Sequence, residues 1–242
     1  MKTTTGWSDR LAPFPLLLVQ EFLNTPAAEP TEEELRVGAA IRRDAAGGLP
    51  QATLAARYGV SQQLVSAVLR GKRLVGGAAG PGAATFGSPE SMRAWLEARD
   101  LLPPGERLTA EEHARLLELQ SGLRALALAN GGGGLPEGAH AALDRLAVRA
   151  PLVLRFREPS AVVLEPAGAG ADGVVGALLA IVYHSIQEGS WSRLKACPAD
   201  QCGYAFYDAS RNRTATWCSM AICGNRAKVR TYQRRRRTAT AE

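Results

Sequence analysis

The sequence predicts an α+β fold that is mainly α-helical, with a minor β component. Three observations support this prediction. Apolar side chains recur at helical spacing in several long stretches of the 242 residues. One pair of short apolar runs has the pattern of a β-hairpin. All four cysteines fall within 27 residues near the C-terminus, which indicates a small module of its own.

Residues 31–75 have the pattern of a support helix, at residues 33–46, followed by a helix-turn-helix. This motif needs a small residue where its two helices cross, and a residue that tolerates positive φ in the turn. Ala55 and Gly59 meet these two needs. Ser61 is placed to cap the second helix. The apolar residues predicted to face the shared core are Leu54, Tyr58, Val60, Val65 and Val68.

The outward face of the second helix would carry Gln, Ser, Ala and Arg side chains, which can contact base edges in the major groove. Basic residues beside it suit phosphates, and no acidic residue lies between positions 50 and 73. The alternative is a plain three-helix structural element. The candidate DNA contacts of this segment are Arg57, Ser61, Gln62, Gln63, Ser66, Ala67, Arg70, Lys72 and Arg73.

A Gly-rich linker at residues 76–84 leads to a further series of predicted elements. Helices are predicted at residues 89–101 and 109–129, the second with a capping box formed by Thr109 and Glu112. A shorter helix follows at 136–148. A β-hairpin is predicted from residues 152–156 and 161–165, and an apolar helix at 174–187.

The cysteines form two equal pairs, Cys197-x4-Cys202 and Cys218-x4-Cys223. Four thiolates at such spacing predict one tetrahedral structural Zn²⁺ site. Two disulfides or a redox switch are the alternatives. The chain shows neither a secretory signal nor an apolar run of the ~20 residues that cross a bilayer, so we expect a cytoplasmic, nucleoid-associated protein without membrane contact. The three histidines are scattered and no catalytic spacing is present, so we expect no enzyme.

The C-terminal segment is strongly basic. Residues 211–237 hold nine Lys or Arg and no Asp or Glu, while the rest of the chain has 20 basic and 23 acidic residues. The overall net charge of +6 is therefore made by this segment. A cationic segment next to a zinc site suggests a phosphate backbone as partner, although a solvated terminus would look similar. The candidate contacts here are Arg211, Arg213, Arg226, Lys228, Arg230, Arg234, Arg235, Arg236 and Arg237.

The same region carries a family resemblance, in the segments WSRLKAC (191–197), CGYAFYD (202–208), SRNR (210–213), WCSM (217–220) and CGNRAK (223–228). These segments resemble the CGNR zinc-finger family of bacterial proteins, whose members usually carry an N-terminal ABATE domain and are inferred to be transcription regulators. LLLVQEFLNT (16–25) and SPESMRAWLEARDLL (88–102) resemble parts of that domain.

These observations predict an ABATE-like helical domain with one β-hairpin at residues 7–30 and 85–188. A helix-turn-helix would be inserted at 31–75, and a zinc finger with a basic tail would occupy 189–237. The predicted function is a sequence-specific regulator that binds double-stranded DNA. The alternative is a zinc-stabilised RNA-binding or protein-interaction module of the transcription or translation machinery. A small-molecule effector and a homodimer both stay open.

Overall fold

The computed structural model describes residues 10–28, 32–59, 65, 68–69, 85–158, 161–199 and 202–239. These residues form an α+β fold that is mainly helical, as the sequence predicts. The helices are α1 (Leu16–Asn24), α2 (Glu32–Ala46), α3 (Gln51–Arg57), α4 (Pro89–Glu97), α5 (Ala110–Asn130), α6 (Ala139–Arg149), α7 (Gly170–Gln187) and α8 (Asn225–Ala239). The strands are β1 (Leu152–Glu158), β2 (Ala161–Pro166), β3 (Leu194–Ala196) and β4 (Ala205–Tyr207).

The chain divides into two compact units. One comprises residues 1–24 and 118–242, and the other comprises residues 25–117. Helix α5 contributes residues to both. The first unit therefore joins the start of the chain to the module that contains the cysteines.

The unit of residues 25–117 contains two helix starts with reciprocal capping. At α4, the Ser88 side chain accepts from the backbone of Ser91, whose hydroxyl in turn accepts from Ser88 N–H. At α5, Thr109 N–H donates to Glu112 at 2.8 Å, and Glu112 N–H donates to the Thr109 hydroxyl at 3.2 Å. The capping box predicted for Thr109 and Glu112 is confirmed.

Helix α4 is shorter than predicted, because it ends at Glu97 rather than continuing to residue 101. Asp100 adopts a left-handed conformation with φ of 55°, and Leu101 N–H donates to Leu96 C=O at 3.0 Å. This arrangement closes the helix in the way that glycine usually does. The sequence prediction was wrong here because no glycine marks the end.

The other unit is built on the hairpin β1–β2 and helix α7. The strands pair antiparallel with Leu154 opposite Leu164, which confirms the predicted hairpin. The helix lies close to the sheet at Gly176, where an added Cβ would lie 3.1 Å from Pro166 and 3.4 Å from Leu152. The absence of a side chain at this position therefore permits close packing of α7 on the hairpin.

Residues 191–239 form the C-terminal module, which we also call the zinc module. It has a second two-stranded sheet, in which Ala196 pairs with Ala205. Five residues in π-helical conformation, Met220–Gly224, then run directly into α8. The backbone of α8 continues through the arginine run. The short sheet and the π-helical turn are features that the sequence analysis did not predict.

Candidate functional site

The four cysteine side chains converge on one point in the C-terminal module. Their Sγ atoms all lie within 4.8 Å of one another. The separations from Cys202 to Cys218 and to Cys223 are both 3.6 Å, and that between Cys218 and Cys223 is 3.7 Å. A tetrahedron with Zn–S bonds of ~2.3 Å has edges of about 3.8 Å. All four thiols are free, so the predicted ligands form a site that can hold one structural zinc ion.

The first two ligands lie on the connection between β3 and β4. Cys197 N–H donates to Tyr204 C=O at 3.0 Å, and Cys202 N–H donates to Ala199 C=O at 2.9 Å. Gly203 adopts a φ of +54°, which lets the chain turn immediately after Cys202. This tight turn, which we call the knuckle, brings both sulfurs to the same side.

The other two ligands lie immediately before α8. Cys218 precedes the π-helical turn and Cys223 lies within it, with Cys223 N–H donating to Ser219 C=O at 2.9 Å. Gly224 follows and is tightly packed, because an added Cβ would lie 3.1 Å from Trp217 and would overlap the Met220 sulfur. The zinc site therefore fixes the direction in which α8 leaves the module.

The electrostatics of the cluster favour a bound cation. Hydrogen bonds from Cys197 above all, and from Cys218 and Cys223, lower the pKa of Cys202. Hydrogen bonds within the cluster, chiefly with Cys197, raise the pKa of Cys218 and Cys223. Without a metal ion, the four thiols therefore differ in how readily each loses its proton. A divalent metal ion removes this difference because it stabilises all the thiolates together.

Polar side chains of α1 bind the backbone of this module, a role that sequence reasoning missed. Asn24 donates to Ala205 C=O at 2.8 Å and accepts from Ala205 N–H at 2.8 Å. Gln20 is 2% exposed, and its amide donates to Ala205 C=O at 3.3 Å and to Arg10 C=O at 2.9 Å. Two amides one turn apart in a largely apolar helix were the available signal.

Arg124 of α5 makes a second connection to the knuckle. Its guanidinium donates to Gly203 C=O at 2.8 Å and also to Leu23 C=O. Burial lowers the pKa of Arg124, and the thiol of Cys202 acts in the opposite direction. The Arg124 guanidinium therefore joins α5 to the knuckle and to α1 within the first unit.

A buried ion pair organises the loop after β4. Lys195 and Asp208 side chains are 6% and 1% exposed, and Lys195 Nζ lies 2.8 Å from Asp208 Oδ2. Lys195 also donates to Arg213 C=O at 2.6 Å, while Asp208 accepts from Ser210 N–H and Ala215 N–H. Burial on its own raises the pKa of Asp208, but these hydrogen bonds outweigh it and bring the pKa to about 2.

The Lys195–Asp208 ion pair and its hydrogen bonds hold the loop that carries two of the predicted phosphate contacts. Arg211 and Arg213 are both exposed, and Arg213 is fixed in a left-handed conformation with φ of 52°. On α8, the side chains of Arg226, Lys228 and Arg230 are exposed as well. The side chains of Arg234, Arg235, Arg236 and Arg237 lie outside the described part of the chain.

The helix-turn-helix prediction falls in the second unit. Helices α2 and α3 occur at the predicted positions, and Gly59 has the predicted positive φ of 62°. Leu54, Val65 and Val68 are buried together with Ile41 of α2. Outside the described residues lie the predicted positions Val60, Ser61, Gln62, Gln63, Ser66, Ala67, Arg70, Lys72 and Arg73.

Arg57, the described candidate of that segment, is already ion-paired. Its Nη1 lies 2.7 Å from Asp44 Oδ2, which also accepts from the Tyr58 hydroxyl at 2.8 Å. The hydrogen bond from Tyr58, followed by that from Arg57, lowers the pKa of Asp44. The Arg57 side chain is still 53% exposed, so a phosphate would have to share it with Asp44.

Two family models match the chain. The CGNR zinc finger matches residues 193–236, and ABATE, described as "Putative stress-induced transcription regulator", matches residues 61–183. No curated protein matches. Neither matched family is an enzyme family. Within the described residues, no helix is long and apolar enough to cross a membrane.

The ABATE match begins at Ser61, inside the segment predicted as a helix-turn-helix. The predicted domain boundaries, including those of an insertion, therefore stay a prediction. The match covers just over half of the 242 residues, and the zinc-finger match begins ten residues after it ends. The chain belongs to the ABATE family of regulator-type proteins and ends in a CGNR zinc finger.

Proposed function

We propose that this protein is a transcription regulator that binds double-stranded DNA in a sequence-specific manner. The observation that carries the proposal is the cationic surface of the zinc module. Arg211, Arg213, Arg226, Lys228 and Arg230 are all exposed, and residues 211–237 contain no acidic residue to offset them. Guanidinium and ammonium groups so displayed attract a phosphate backbone and release its counterions on binding.

The second support comes from residues 31–75. A buried contact among α2, α3 and the helical positions Val65 and Val68 fits the packing that a helix-turn-helix needs. In this proposal Gln62, Gln63 and Ser66 contact base edges, and Arg57, Lys72 and Arg73 contact phosphates. The zinc is structural, because four sulfur ligands close its coordination shell and leave no position for a reactive water.

The test is selection of bound fragments from genomic DNA, with structured RNA as a competitor. We expect enrichment of one DNA motif, and a regular half-site spacing if the protein binds as a homodimer. Equal or tighter binding to RNA would support the alternative of an RNA-binding module.

The base-reading role is tested with Gln62→Ala, Gln63→Ala and Ser66→Ala. Each variant should bind the selected site about 1–3 kcal/mol more weakly and show a relaxed sequence preference. Arg73→Ala is the matched control, because removing a group that binds phosphate should weaken selected and random DNA alike. Unchanged binding of all three variants would show that the second helix of the helix-turn-helix does not read bases.

A further inference from the structure

Between residues 225 and 233, helix α8 exposes most of its circumference. At 1.5 Å per residue, its 15 residues span about 22 Å. Between residues 225 and 233, only Ala227 and Thr231 are partly buried, and all other side chains are exposed. These two residues are one turn apart, so the partly buried side chains form a single narrow line along the helix.

Between residues 225 and 233, the face opposite this line carries no charged side chain. Successive residues of an α-helix are rotated by about 100°. Asn225, Val229, Tyr232 and Gln233 therefore lie on the side away from Ala227 and Thr231. We call these four residues the outward stripe. Val229 is 54% exposed and Tyr232 is 62% exposed.

Basic side chains border the outward stripe on both sides. The same rotation places Lys228 along one border and places Arg226 and Arg230 along the other. A helix whose outward face is only solvated does not need apolar side chains such as Val229 and Tyr232 there. A helix that only contacts phosphates gains nothing from an uncharged centre between two basic borders.

This distribution matches the needs of a helix in the major groove of DNA. The groove is ~12 Å wide and admits one helix, so the borders of the helix face the two phosphate backbones. The centre faces base edges, where Asn and Gln amides can bind adenine and an apolar side chain can contact a thymine methyl group. The basic borders make a polyanion the occupant that complements this surface best.

The stripe is also held in a fixed direction by the zinc site. Cys223 lies two residues before Asn225, and Gly224 between them packs under Trp217 and Met220. Asn225 Nδ2 donates to Ala221 C=O at 3.2 Å, which joins the first turn of α8 to the π-helical turn. A base-reading surface needs such pre-organisation, because each ordered side chain otherwise costs binding free energy.

We propose that the outward stripe of α8 is a second base-reading surface, which enters the major groove of double-stranded DNA while its basic borders contact phosphates. The proposal rests on the DNA-binding function proposed above. It adds bases contacted by the zinc module to those assigned to residues 62–66.

The test compares the double variant Val229→Ala/Gln233→Ala with the border variant Lys228→Ala in the full chain. We expect the stripe variant to bind the selected DNA site about tenfold more weakly, with affinity for random DNA and the salt dependence little changed. Repeated selection should show relaxed preference at a subset of motif positions. The border variant should weaken both DNAs alike and lower the slope of log affinity against log salt by about 0.9.

All variants should keep one zinc per chain and the parental unfolding temperature, because the changed side chains are exposed. An unchanged motif and affinity for the stripe variant, alongside a motif that depends on Gln62 and Gln63, would overturn this inference and leave the proposed function standing. Absence of any enriched DNA motif for the parent chain would overturn both. A stripe variant that lost binding to RNA or to a protein, with DNA binding intact, would also overturn the inference.

Discussion

The side-chain amide of Asn24 binds both backbone groups of Ala205, as donor to the carbonyl and acceptor from the N–H, each at 2.8 Å. Ala205 lies in β4, whose other edge pairs with β3. Asn24 thus takes the place of a third strand at the open edge of this small sheet. The zinc module is consequently fastened to the N-terminal helix by the groups that a sheet edge leaves unpaired.

The first prediction concerns this contact. Asn24→Ala should lower the free energy of unfolding of the first unit by about 1–3 kcal/mol, because Ala205 is fully buried and its N–H would lose its partner. Chemical denaturation monitored together with zinc release measures the change. Asn212→Ala, in the exposed loop, is the matched control and should have little effect. A parental stability for Asn24→Ala would show that water replaces the amide.

The second prediction concerns the metal. Purified protein should contain one zinc per chain, and replacing any of Cys197, Cys202, Cys218 or Cys223 with Ser should abolish this content. Structural zinc contributes ~10 kcal/mol or more to small folds, so a chelator should unfold the module. Hydrogen exchange at the Ala205 amide should then become fast, since its bond to Asn24 is broken. Protein without zinc whose thiols are paired as disulfides would contradict the assignment.

The third prediction concerns the buried ion pair. Asp208→Asn leaves the Lys195 ammonium buried without a counter-charge and should cost about 3–5 kcal/mol. The pKa of Asp208 is lowered to about 2, so its stabilising effect is present above pH ~4 and is lost as pH falls towards 2. The full cost should therefore appear at pH 7.

The double variant Lys195→Met/Asp208→Asn provides the control for that prediction. It should be more stable than Asp208→Asn alone, because no uncompensated charge remains. Equilibrium unfolding at pH 7 measures both variants. Additive losses would show that the two side chains act independently.

The fourth prediction concerns the arginine run at the end of α8. Replacing residues 234–237 with Gln should weaken binding to the selected DNA site and to random DNA by a similar factor, because guanidinium groups contact phosphates without reading bases. The slope of log affinity against log salt should fall by up to about four, at ~0.9 for each phosphate that is no longer neutralised. Fluorescence titrations at several salt concentrations measure this slope. A changed base preference with an unchanged slope would place base reading in the run itself.

Local signals explain what the sequence predicted well. The capping box of Thr109 and Glu112 joins residues three positions apart, and the cysteine pairs repeat a spacing that zinc sites use. Such patterns are complete within a few residues. They depend little on the rest of the fold.

The features that were missed depend on distant or unusual partners. Asn24 and Ala205 are 181 residues apart, and their contact involves the Ala205 backbone, whose partners the sequence does not specify. Arg124 likewise binds two carbonyl groups. The end of α4 at Glu97 was missed because Asp100, which closes it, is an aspartate, and aspartate seldom adopts a left-handed conformation.

The hydrogen bonds between Asn24 and Ala205 form only late in biosynthesis, after Ala205 has been translated. A ribosome that adds about 5–20 residues per second takes about 10–40 s to add the 181 residues that separate the two. Throughout that interval the Asn24 amide has no Ala205 backbone to bind, because the sheet edge that it covers is still to be translated. A chain whose translation stops before Ala205 therefore lacks this contact between its first helix and the C-terminal sheet.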